Sequence, residues 1–92
     1  MVKKYTDQGF RGLKAMPEIM EWILGEHLRQ LTKWGIQTRT AFEWMTYLTE
    51  EVGELAKAIS EVEYREGERA QIKKEAIQVA TLALKIAEMM GG

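Results

Sequence analysis

With 92 residues, no cysteine and a single proline, this chain has room for one small domain and excludes a disulfide framework or a thiolate zinc site. Its 13 basic and 14 acidic residues leave a net charge of −1, without the basic footprint of a duplex nucleic-acid binder, and 29% charged residues argue against a membrane protein. No apolar run approaches the roughly 20 residues that cross a bilayer, and Met1-Val2-Lys3-Lys4-Tyr5 leads into no apolar h-region, so a cytoplasmic protein with neither membrane nor nucleic-acid polymer as partner is expected.

Residues 1–16 carry Gly9, Gly12 and mixed charge without a clear period and read as an N-terminal arm; residues 17–92 read as a helical domain. A first helix begins near Pro17, which suits a first helical position, and ends near Gly35, a residue type that favours the position just past a helix. Met20, Ile23, Leu24, Leu28, Leu31 and Trp34 fall on one side of it at helical spacing, with His27 in the same arc. Thr40-Ala41-Phe42-Glu43 fits a capping box and opens a second helix, whose stripe is Ala41, Met45, Leu48, Val52, Leu55, Ile59 and Val62. Residues 64–68 break that pattern and read as a turn, after which a third helix runs from about residue 69 to 90. It carries one apolar strip through Ile72, Val79 and Ile86 and another through Ile77, Ala80, Leu84 and Ala87. A helix that is apolar on two sides is covered on two sides. The expectation is therefore an all-α fold, an antiparallel helical hairpin plus an N-terminal helix, with the bundle completed by a homodimer or homotetramer.

The acids are informative because of where they sit relative to these stripes. At about 100° per residue, Glu51 lies about 60° from Leu48 and Glu54 about 120° to the same side, while Glu50 points away. On the third helix, Glu75 lies about 40° from Val79 and Gln78 about 100° to the matching side. The pairs Glu51/Gln78 and Glu54/Glu75 share one midpoint, between Tyr64 and Arg65, so an antiparallel hairpin brings all four to one height. Carboxylates gathered at a core face repel one another and need a positive counterpart. Oxygen-only donors select a hard cation, Mg²⁺ or Mn²⁺. A lone Glu-x-x-Glu is most often a solvated face, but two such pairs on matching flanks are harder to explain that way.

Glu50-Glu51-Val52-Gly53-Glu54-Leu55-Ala56, followed after twenty intervening positions from Glu54 by Glu75-Ala76-Ile77-Gln78, resembles the signature of the MazG-like, all-α nucleotide pyrophosphohydrolases. That signature is Glu-Glu-x-x-Glu and then Glu-x-x-Asp on the next helix. The likeness covers about residues 28–90, including Lys33-Trp34-Gly35-Ile36-Gln37, and departs from the family at Gln78, where Asp is usual. The resemblance implies Mg²⁺-dependent hydrolysis of a nucleoside triphosphate, NTP or dNTP, to a monophosphate and pyrophosphate. It makes Glu51, Glu54 and Glu75 the metal ligands, with Gln78 offering a neutral oxygen or ordering a water, and Glu50 acting from behind them. Glu51 or Glu54 would serve as base towards the attacking water. Trp44 and Tyr47 share the flank of Glu51 and Glu54 and are candidates to pack on a base, or else core aromatics; Lys85, Trp34 and His27 are weaker substrate contacts, with surface or core roles as the plainer readings. Two other readings compete. One is a catalytically weak or inactive nucleotide- or metal-binding regulatory protein of the same fold. The other is a structural helical dimer whose acids pair with Arg29, Arg39 or Lys73.

Overall fold

A computed structural model of the chain describes residues 16–91, which form three helices: α1 (Met16–Trp34), α2 (Ala41–Tyr64) and α3 (Arg69–Gly91). The expected N-terminal arm lies outside the described residues. Each boundary has a local cause. Gly35 adopts φ 71° and donates its N–H to the Leu31 carbonyl at 2.8 Å, closing α1 in a left-handed cap that suits glycine. The capping box at the start of α2 is formed in both directions: Glu43 N–H donates to Thr40 Oγ1 at 3.1 Å, and Thr40 N–H to Glu43 Oε1 at 3.0 Å. At the other end of α2, Glu61 O accepts from Arg65 and Gly67, while Glu66 takes the left-handed conformation, φ 58°. Gly67 is required there for a different reason, since a Cβ on it would lie 2.8 Å from Glu61 Cβ.

The short link of residues 65–68 makes α2 and α3 an antiparallel hairpin, as expected. α1 packs on α3 and does not approach α2, so α3 lies between the two outer helices. Lys73 of α3 sits over the Trp22 ring of α1, and further along Lys85 of α3 bonds Gln30 of α1, so these two helices run in the same direction. No described helix is long and apolar enough to cross a membrane.

The core is small. Ile23, Ala58, Val62 and Leu82 are its buried apolar residues, with Val62 only 1% exposed. Thr81 is buried beside them and donates its hydroxyl to the Ile77 carbonyl at 2.7 Å. The apolar stripes are wider than the contacts that cover them. Met20, Leu24, Leu28 and Trp34 of α1, and Met45, Val52 and Ile59 of α2, were expected to face a core and are exposed. The reason is that, among the described residues, each outer helix has one neighbour, and one neighbour covers a narrower arc than these sequences provide. α3, expected to lack cover on one side, has a helix of its own chain on both. The uncovered apolar surface falls mainly on the outer helices instead.

Candidate functional site

α2 and α3 bring Glu51, Glu75 and Gln78 together. Glu75 is buried, 8% exposed, and its Oε1 accepts from Gln71 Nε2 at 2.9 Å. With its amide nitrogen turned inward, Gln78 donates to Glu75 Oε2 at 2.8 Å and to Glu51 Oε2 at 2.9 Å, bridging the two helices. Burial pushes the Glu51 carboxyl above the ordinary carboxylate range, and the adjoining Glu75 carboxyl adds to this by hydrogen bonding and by its charge. Glu54 and Glu26 raise it further from a distance. Two acids and one neutral amide thus share the contact between α2 and α3.

Glu54 stands apart. It is exposed and lines a small cleft of about 360 Å³ with Glu61, Gln71 and Glu75. Among the described residues no three acidic or histidine side chains are gathered closely enough to hold one metal ion as they stand. Glu50 is exposed on the outside of α2, as its helical angle indicated.

Glu51 and Gln78 also lie in the wall of a larger cleft, about 760 Å³, bounded by the end of α1, residues 35–39 of the connecting segment, the first half of α2 and the second half of α3. Its volume falls within the roughly 300–1,000 Å³ of small-molecule sites. His27, Trp34, Trp44, Tyr47 and Lys85, each singled out from the sequence, all line it. The Trp44 and Tyr47 rings meet edge to face, 6.1 Å between centroids. Each aromatic has a cation against it: Arg29 lies 5.7 Å and Lys33 4.8 Å from Trp34, Arg39 5.0 Å from Tyr47, and Lys85 5.6 Å from Trp44.

Sequence reasoning did not place Glu26 or Gln30 at this site, and it named Arg29 and Arg39 only as ion-pair partners of the acids in the structural-dimer reading. Glu26 accepts from Arg29 at 2.7–3.2 Å and from Gln30 at 2.8 Å. Burial works to raise its pKa, but those hydrogen bonds and the charges of Arg29 and Lys85 hold it below the usual range. Lys85 in turn donates to Gln30, and its burial lowers its pKa against the pull of Glu26. The Glu26–Arg29 spacing was a readable local signal; the connection to Lys85 was not, because it depends on how α1 crosses α3. Arg29 pairs with Glu26, Arg39 with Glu43 at 3.6 Å, and Lys73 rests on Trp22; within the chain Arg29 feels the charge of Glu51 without forming an ion pair with it.

No protein-family model matches this chain, and no match is found among curated proteins or solved structures.

Proposed function

We propose that this chain is a Mg²⁺-dependent nucleoside triphosphate pyrophosphohydrolase, cytoplasmic and working as a homo-oligomer, that cleaves NTPs or dNTPs to monophosphate and pyrophosphate. One observation carries the reading. The Glu51–Gln78–Glu75 bridge lies at the wall of a cleft that offers aromatic faces and cationic groups together. A nucleotide presents the complementary pair, a flat base and a polyanionic tail.

The donor set fits a hard divalent ion. It consists of oxygen atoms alone, and a cation would offset the mutual repulsion of Glu51 and Glu75. Glu51 and Glu75 would hold the ion, with Glu54 supplementing them and Gln78 turning its carbonyl oxygen inward. When bound, Mg²⁺ polarises phosphoryl oxygens and screens triphosphate charge. Arg29, Arg39 and Lys85 draw the phosphates, and Trp44 with Tyr47 receives the base. Glu51 accepts a proton from the water that attacks the α-phosphorus; the bond from that phosphorus to the bridging oxygen breaks, and pyrophosphate leaves with the bonding pair.

Pyrophosphate release from a panel of nucleotides, with Mg²⁺ and with a chelator, tests the reading directly. Metal-dependent release from at least one triphosphate is expected; none from any of them removes it. One observation favours a second reading, a nucleotide-binding regulatory protein without turnover: Gln78 already satisfies both carboxylates without a cation. Saturable nucleotide binding with no pyrophosphate formed would select it.

A further inference from the structure

Glu26 is not part of the wall of the large cleft, yet it holds two of the cations that are. Its side chain is 11% exposed and sits on α1 one turn before Arg29 and Gln30. Both carboxylate oxygens are engaged: Arg29 Nε donates to Oε1 at 3.0 Å, and Oε2 accepts from Arg29 Nη2 at 2.7 Å and from Gln30 Nε2 at 2.8 Å. The Gln30 amide oxygen accepts in turn from Lys85 of α3, whose ammonium lies 5.6 Å from the Trp44 ring of α2. One carboxylate thus begins a chain of contacts that crosses all three helices and enters the cleft at Arg29, Gln30 and Lys85.

We propose that Glu26 is a positioning residue: from behind the cleft it fixes Arg29 and, through Gln30, Lys85 where the phosphates of a polyphosphate ligand meet them. The inference rests on the cleft being a polyphosphate site, with or without turnover. Three features support it. The Arg29 side chain is 48% exposed, and a long side chain so placed keeps one geometry only if something holds it. Glu26 does so through two of the five N–H donors of a guanidinium, which leaves the others for a ligand. Next, burial works against the charge of Lys85, and the carboxylate of Glu26 opposes that effect, so the same group helps to keep the ammonium charged. Finally, one negative charge faces two positive ones, so the assembly stays net positive towards an anion, and the carboxylate oxygens are turned to Arg29 and Gln30.

Titration calorimetry of the full chain with inorganic tripolyphosphate and Mg²⁺ tests this, at about 0.15 M salt, where exposed charges are screened beyond about 8 Å. Glu26→Ala should raise the Kd on the order of tenfold, a coupling usual within one hydrogen-bonded network. The near-isosteric Glu26→Gln should move it in the same direction. Circular dichroism checks that the proteins compared are folded, and if the alanine variant is not, the glutamine variant takes its place. Added to Arg29→Ala/Lys85→Met, with Arg39 still present, the Glu26 substitution should change the Kd by less than about twofold, because its effect passes through the two missing cations. An undiminished loss in that background would show that Glu26 only holds α1 in place. Unchanged or tighter binding in the single variant would show that it competes with the phosphates. Either result overturns the inference and leaves the polyphosphate site standing. Wild-type protein that does not bind tripolyphosphate also removes the inference, and the nucleotide panel then decides whether the reading of the site falls with it.

Discussion

Gln78 decides how the acids behave. As an amide it joins Glu51 to Glu75 without adding charge. Gln78→Asp would replace that link with a third carboxylate, costly in the free protein and favourable once a divalent ion is present. We expect Mg²⁺ affinity to rise on the order of tenfold, about 1.4 kcal/mol, with faster pyrophosphate release and a lower melting temperature in chelator. Titration calorimetry, the release assay and thermal melts read the three effects separately. Weaker metal binding in this variant would mean that the amide itself is needed by a ligand or a water. Glu51 supports a second prediction. Its folded pKa is raised, first by burial and then by Glu75, so the folded state holds its proton more tightly than the unfolded state does. That contribution is fully present below the unfolded value, about 4.3, and is lost as pH rises through the folded pKa. Metal-free Glu51→Gln should therefore gain stability over wild type progressively as pH rises from the ordinary carboxylate range to neutrality. Glu26 and Glu43 act in the other window: their pKa values are lowered, so their contributions are present above the unfolded value and are lost on acidification. A wild-type–mutant difference that stays flat with pH would show that Glu51 does not carry the repulsion.

At the level of the helices, the clearest local signal was also the most completely formed. Thr40 and Glu43 cap α2 reciprocally, and Thr40→Ala should cost about 1 kcal/mol, lowering the melting temperature by roughly 4–8 °C in a domain of this size. Thermal denaturation checks it. Such signals were legible because they depend on residues three or four positions apart: the Thr40–Glu43 box, the glycine after Trp34 and the interruption at residues 64–68. The approach of Gln78 to Glu51 was legible too, since a hairpin turns distance from the turn into height. What could not be read was which part of each apolar stripe would be covered. Met45 and Leu48 look alike as letters, yet the crossing of α2 on α3 half-buries Leu48 and leaves Met45 exposed. Arg39 likewise reaches the cleft from an irregular connection, where no period announces a direction.

For the molecule as a whole, the proposed function would make the paired acids a link between folding and divalent cations. An ion that binds only the folded cluster stabilises it by mass action, by about 2.7 kcal/mol at one hundred times its Kd. On the proposed reading, saturating Mg²⁺ should raise the wild-type melting temperature by roughly 10 °C or more. Glu75→Gln should lose most of that increment, and Glu63→Gln, away from the cluster, should keep it. Differential scanning fluorimetry against metal concentration would decide between a cation site and a proton-sharing pair that needs no metal.

α1 has Ile23 as its one buried residue, and its contacts with α3 include Lys73 over the Trp22 ring and the hydrogen bond from Lys85 to Gln30. Such an attachment releases little free energy from water exclusion, so α1 is held less firmly than the hairpin it rests on. It also supplies His27, Arg29 and Trp34 to one wall of the large cleft. The opening of that cleft is thus tied to the weakest joint in the fold, and a ligand that bridges the walls fastens that joint. Hydrogen exchange should find the amides of α1 opening well before those in the middle of α2 and α3, and a nucleotide should slow exchange chiefly in α1. Uniform exchange across the three helices would show that the joint is as strong as the rest.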